Sequence, residues 1–125
     1  MASDKNFMLG NMADDLVSIT IELTGKKEDR TPRFPRYIYD SYVTRMMNIA
    51  LDIQADIVLS NELYSGHERQ QMQKDAMAKC VLLEHYVRLA ESRGWISEKQ
   101  RVRWLTLVNS VKFKTRNWMR SDASK

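Results

Sequence analysis

Four stretches of this 125-residue chain place apolar residues three or four positions apart, and this helical period limits the fold more than any other feature. The first of these apolar stripes consists of Met8, Met12, Leu16, Ile19 and Leu23. No stretch shows the two-residue alternation of a half-buried strand. Glycine (4) and proline (2) are too scarce for the many turns of an all-β protein. We therefore predict an all-α fold.

Residues typical of helix ends divide the chain into four helices. Gly25 and Gly94 follow the first and third stripes, where a helix commonly stops. Two capping boxes are predicted, at Ser65 with Glu68 and at Ser97 with Gln100. The predicted helices span about 3–24, 35–63, 66–93 and 97–120.

The connections between these segments are short compared with the helices. The longest, residues 26–35, is charged, carries both prolines and is predicted to be a loop. Short connections between long amphipathic helices favour antiparallel neighbours. The prediction is an antiparallel up-down-up-down four-helix bundle that forms a single domain over residues 1–125.

The sequence lacks the usual residues of a catalytic or metal site. His67 and His85 have no partners at the spacing of zinc ligands, and Cys80 lies on an apolar stripe, as a buried packing residue does. There is no phosphate-binding glycine loop and no Glu-x-x-His pair of the di-iron type. We predict no catalytic residue, no metal and no cofactor. An enzyme built in the bundle core remains a minor alternative.

Two features bear on the cellular compartment. No apolar run approaches the roughly 18 residues of a membrane span. The first ten residues lack the basic and apolar regions of a secretory signal, and one cysteine cannot form an internal disulfide. We expect a cytoplasmic protein without a membrane partner.

Positive charge is concentrated in the last predicted helix. The whole chain has 20 basic and 16 acidic side chains, a formal net charge of +4, but residues 99–120 contain no acidic residue. An asymmetry of this kind suits a polyanion partner. The candidate nucleic-acid-binding residues are Lys99, Arg101, Arg103, Lys112, Lys114, Arg116 and Arg120.

The arrangement of this helix leaves several interpretations open. Its predicted buried side carries Trp104, Leu107, Val108, Val111 and Trp118. Val102 and Phe113 lie away from that side, among the cations, where they suit base stacking, a protein partner or subunit packing. A solvated basic face that complements acidic helices is the simplest alternative. On the second helix, Asp52 and Asp56 are interpreted as a solvated acidic face, or else as an interaction surface.

Two segments resemble a family of small bacterial four-helix-bundle proteins. The run from Phe34 to Leu63 has the family's Phe-Pro-basic entry, an amphipathic helix and a small-polar step at its end. The run from Leu83 to Ser97 resembles the family's third helix and following turn. Trp118 matches the Trp of the closing Gly-Trp, with Asn117 in place of the glycine. The family comprises the accessory variability determinant proteins of diversity-generating retroelements and proteins encoded in ribosomal RNA intervening sequences.

The resemblance implies a function and an assembly. Members of this family form ring-like homopentamers, and the accessory members bind a reverse transcriptase and nucleic acid (RNA, DNA or both) through basic surfaces. The retroelement uses them in mutagenic copying of a template RNA. No catalytic residue comes with the family. The resemblance thus implies a non-catalytic accessory protein, and the alternative is a structural or adaptor bundle that binds only protein.

Overall fold

The computed structural model describes residues 7–124, and in that range the chain forms four long α-helices. The helices are α1 (Met8–Thr24), α2 (Thr44–Glu62), α3 (His67–Ser92) and α4 (Glu98–Ala123). The described part contains no β-strand beyond one isolated bridge, between Lys26 and Pro32. The all-α prediction is confirmed.

The helices pack in a closed cycle around one apolar core. Each helix contacts its neighbours in sequence, and α1 also packs on α4. Every helix contributes fully buried residues from its predicted stripe, for example Leu16, Ile53, Leu83 and Val108. Burial of these stripes supplies the main stabilisation of the bundle, because each helix alone would leave its apolar face in water.

The predicted second helix, 35–63, is partly wrong at its beginning. A short 3₁₀ turn (Arg36–Ile38) and one π-helical turn (Tyr39–Val43) precede α2, which begins at Thr44 and ends at Glu62. The sequence pattern alone does not separate these turns from a regular helix.

The packing of Tyr42 accounts for this irregular start. The Tyr42 ring lies 5.2 Å from that of Tyr86 and 5.3 Å from that of Trp95, measured between ring centroids. Its hydroxyl donates a hydrogen bond to the backbone carbonyl of Tyr86. The wider turn brings the ring into an aromatic cluster that also includes buried Phe34. Contacts with distant residues therefore override the local preference for a regular helix.

The first helix begins later than predicted. Phe7 has an extended backbone and α1 begins at Met8; the earlier predicted helical positions, 3–6, lie outside the described residues. The Phe7 ring packs on Trp118 at 5.4 Å and covers Gly10, where a Cβ atom would stand 2.8 Å from the ring. The chain thus leaves the helical path to place Phe7 against α4.

The end of α1 at Thr24 is as predicted, and the remaining helix ends differ from prediction by one to three residues. The capping box at Ser97 is confirmed, since the Gln100 N–H donates to the Ser97 hydroxyl and the Gln100 side chain accepts from the Ser97 N–H. The box at Ser65 is wrong, because α3 begins at His67 with Gly66 as its N-cap and without a side-chain cap. Helix α4 continues past residue 120 to Ala123.

An ion pair between α3 and α4 accounts for the longer end of α4. Arg69 Nε lies 2.9 Å from the Asp122 carboxylate, and the Gln73 amide donates to the same carboxylate at 3.0 Å. The Arg69 guanidinium also stacks over Trp118, 4.5 Å from the ring centroid. These contacts hold the last turn of α4 against α3.

Candidate nucleic-acid interface

All seven predicted cations lie on α4, but two of them are neutralised by carboxylates. Arg103 donates two hydrogen bonds to the carboxylate of Glu22 on α1, at 2.7 and 2.8 Å. Arg101 lies 2.9 Å from the carboxylate of Glu91 on α3 and 3.7 Å from that of Glu98. For these two residues the structure matches the alternative of a basic face complementing acidic neighbours.

The ion pair between Arg103 and Glu22 has short hydrogen bonds, but it lies exposed to solvent. The hydrogen bonds from Arg103 lower the pKa of the Glu22 carboxyl. Both side chains are about half exposed, at 54% and 51%, so water and salt screen the attraction. A phosphate group is therefore able to compete with Glu22 for this guanidinium.

Five predicted cations have no carboxylate within 4.0 Å among residues 7–124. Four of them are exposed and Lys112 is half-buried. These five unpaired cations are Lys99, Lys112, Lys114, Arg116 and Arg120. They extend along the whole length of α4, and each offers N–H donors that no acidic side chain of the described chain occupies.

An exposed aromatic ring lies between two of these cations. Phe113 is 51% exposed, with Lys112 Nζ at 5.6 Å and the Arg116 guanidinium carbon at 5.5 Å from its ring centroid. Val102, 48% exposed, lies three helical turns earlier on the same outward face. A ring held between cations can stack on a nucleobase while the cations contact the flanking phosphates.

The opposite face of α4 anchors the helix in the bundle. The predicted buried side is confirmed: Trp104, Val108 and Val111 are fully buried, and Leu107 and Trp118 pack partly buried against the core. The exposed cations are therefore carried on a helix whose other side is fixed by the core.

A second group of cations, which the sequence analysis assigned only to a loop, adjoins the start of α4. The loop and its exit, residues 26–36, contain five basic and two acidic side chains. Two cations and two carboxylates of the loop line a cavity of about 610 Å³ beside the start of α4, together with Ser97 and Gln100; they are Lys27, Arg33, Glu28 and Asp29. The cations of the loop thus lie near the start of α4, but in this cavity the two carboxylates balance Lys27 and Arg33. The signal that would have revealed this is the density of cations in the run KKEDRTPRFPR.

The acidic pair on α2 does not form a solvated face as predicted. Asp56 lies 2.7 Å from the ammonium group of Lys79 on α3. Burial raises the pKa of the Asp56 carboxyl, and the hydrogen bond from Lys79 opposes that shift. Asp52 remains exposed beside this pair. The pair ties α2 to α3, so the interpretation as a solvated face is wrong for Asp56.

Cys80 is a buried packing residue, as its position on an apolar stripe predicts. The side chain is inaccessible to solvent, and burial raises the pKa of its thiol to about 12. The thiol therefore stays protonated at neutral pH and is a poor nucleophile. Residues 7–124 contain no group of three or more His, Cys, Asp and Glu side chains placed to hold a metal ion.

Comparison with protein-family models, with curated proteins and with solved structures finds no match for this chain. Within residues 7–124, no helix has both the length and the apolar character that a membrane span requires.

The Glu22 pair gives a test of whether phosphates contact this side of α4. Replacing Glu22 with Gln frees Arg103, and one additional phosphate contact strengthens binding to a single strand about fivefold at 0.1 M salt. The measurement is fluorescence anisotropy with a labelled single-stranded oligonucleotide. The matched control is Asp52→Asn on α2, which changes the net charge equally and should alter affinity less than about twofold. Equal effects of the two variants would show that Arg103 makes no specific contact.

Proposed function

We propose that this protein is a non-catalytic nucleic-acid-binding bundle whose α4 face contacts the phosphate backbone. The observation that carries the proposal is the cluster of Lys112, Phe113 and Arg116, in which an exposed ring lies between two cations without carboxylate partners. Lys99, Lys114 and Arg120 extend this positive face toward both ends of the helix.

The chemistry of such a face is electrostatic and largely independent of sequence. Lysine and arginine side chains neutralise phosphates and release the counterions condensed on the nucleic acid. Phe113 adds a stacking contact that requires a base free of its pairing partner. The combination favours single-stranded RNA or DNA over a regular duplex.

The proposed arrangement of the helices is the antiparallel up-down-up-down bundle. Side-chain pairs that join the end of one helix to the beginning of another support it, as do the short connections after α2 and α3. Glu22 near the end of α1 pairs with Arg103 near the start of α4, and Arg69 near the start of α3 pairs with Asp122 near the end of α4.

The proposed biological role is that of an accessory protein of a diversity-generating retroelement, acting in the cytoplasm with a partner reverse transcriptase. Its support is the resemblance carried by Phe34–Leu63 and Leu83–Ser97. The same resemblance suggests a homopentamer. Exposed apolar side chains on α2 and α3, which a second copy would cover, support a homo-oligomer of some size.

Those exposed side chains also favour the second candidate function, an adaptor that binds only protein. The exposed apolar residues are Leu51, Val58 and Leu59 on α2 and Val81, Leu82 and Leu89 on α3. A pull-down from the native host with and without nuclease treatment separates the two functions. A reverse transcriptase or co-purified nucleic acid favours the accessory role, whereas other protein partners that survive nuclease, with no nucleic acid in the untreated sample, favour the adaptor.

The proposed function predicts a steep dependence of affinity on salt. If the five unpaired cations each contact one phosphate, the logarithm of the association constant for a single strand falls against the logarithm of salt concentration with a slope of about −3.5. Titrations of a labelled oligonucleotide between 50 and 300 mM salt would measure it. A slope near zero would exclude a phosphate-binding role for α4.

A further inference from the structure

A second cavity, separate from the surface of α4 and partly open to solvent, lies against the segment between α1 and α2. It has a volume of about 560 Å³, within the range of small-molecule sites. The lining residues are Lys26, Arg30, Pro32, Arg36, Tyr39 and Asp40. Three cations against one carboxylate leave this cavity with a net charge of about +2.

The loop around the cavity is held by its own hydrogen bonds. The Lys27 N–H donates to the Thr31 carbonyl at 2.8 Å, and the Arg30 N–H donates to the Lys27 carbonyl at 2.9 Å. The Asp29 carboxylate accepts hydrogen bonds from the N–H and the hydroxyl of Thr31, and these bonds lower the pKa of Asp29. The isolated bridge between Lys26 and Pro32 closes the loop. The cations are therefore presented from a fixed backbone.

Arg30 adopts a backbone conformation that long side chains rarely take. Its φ of 69° lies in the left-handed region, where glycine or asparagine is normally found. Arginine is thus placed at the one position of the loop where it is locally unfavourable, and its side chain lines the cavity. Strained residues of this kind cluster at ligand-binding sites.

The three cations of the cavity form no ion pair with a carboxylate of the described residues. Within the part of the chain that the structure describes, no carboxylate lies within 4.0 Å of the charged nitrogens of Lys26, Arg30 or Arg36. Asp40 lines the same cavity and is exposed without pairing with them. Three unpaired cations around one concave space repel one another, and an anionic ligand relieves that repulsion.

We propose that this cavity binds a phosphate monoester. A terminal phosphate carries a charge of −1.5 to −2 at neutral pH, which matches the net charge of the cavity better than one backbone diester does. The arginine forks of Arg30 and Arg36 suit bidentate contacts to phosphate oxygens. Tyr39 and Pro32 offer apolar surface for the attached nucleoside. The monoester is either a free mononucleotide or the 5′ end of a strand.

The test compares ligands that differ only in this phosphate, at constant ionic strength. The pairs are 5′-phosphorylated and 5′-hydroxyl single-stranded 12-mers, and adenosine 5′-monophosphate and adenosine. The phosphorylated member of at least one pair should bind about tenfold tighter. A preference confined to the 12-mers identifies a strand end as the ligand, whereas a preference in both pairs identifies the mononucleotide. Equal affinity within both pairs overturns the proposal.

Variants test whether a preference for the phosphorylated ligand arises at this cavity. Arg36→Gln and Arg30→Gly should each abolish it, whereas Lys74→Gln, which removes an exposed cation from α3, should leave it intact. Arg30→Gly also suits the left-handed backbone at that position, so the melting temperature should not fall. A preference that persists in both cavity variants would overturn the proposal. Because the comparison is between matched ligands, it stands even if the α4 surface binds no nucleic acid.

Discussion

Replacing Lys112, Arg116 and Arg120 together with glutamate should lower the affinity for single-stranded nucleic acid by at least about 100-fold at 0.1 M salt. Each lost phosphate contact costs about 0.7 in the logarithm of the association constant at this concentration, so three contacts cost about two decades. Repulsion between the new carboxylates and the phosphates adds to the loss. Fluorescence anisotropy with a labelled single strand measures the change.

The control for this triple variant must change the net charge equally. Arg45 on α2, Lys74 on α3 and Arg93 directly after α3 are exposed cations without a carboxylate within 4.0 Å among the described residues, and their replacement by glutamate should reduce affinity much less. Circular dichroism should show unchanged helicity in both variants, because the substituted side chains of α4 lie outside its buried face. If both variants lose affinity equally, binding depends on overall charge and the assignment to α4 is wrong.

The helical architecture was predictable because it rests on local sequence. The period of apolar residues places the four helices, and the reciprocal hydrogen bonds of Ser97 and Gln100 depend only on residues three apart. The π-helical turn at Tyr39–Val43 was not predictable, since it depends on Tyr42 meeting Tyr86, 44 positions away. A helix start that is set by contacts with distant residues cannot be recognised from the local spacing of apolar residues.

The candidate site also has a part that local sequence predicted and a part that it did not. The cations of α4 were identified from one stretch without acidic residues. The neutralisation of Arg103 by Glu22 was not, because the two are 81 positions apart. A count of charges along the chain overlooks pairs of this kind. It also overlooked the loop cavity, whose cations come together only when the backbone turns at Arg30.

The packing of α4 on the bundle depends most on Trp104, the largest fully buried side chain. Trp104→Ala should lower the free energy of unfolding by about 3–5 kcal/mol, because it removes buried apolar surface and leaves a cavity among residues that cannot fully collapse. Urea denaturation followed by circular dichroism measures the loss. A loss of this size is a large fraction of the stability of a domain of this length.

Trp104→Phe separates the packing role of Trp104 from its polar atom. The indole Nε1 is buried without a hydrogen-bond partner among the described residues, and such an unpaired donor costs about 1–3 kcal/mol. Phenylalanine removes that cost while it fills most of the space, so we expect a loss below about 2 kcal/mol. Affinity for nucleic acid should be unchanged, because Trp104 faces away from the cations. If phenylalanine destabilises the protein as much as alanine does, filling the space does not offset the loss, and the packing role assigned to Trp104 is wrong.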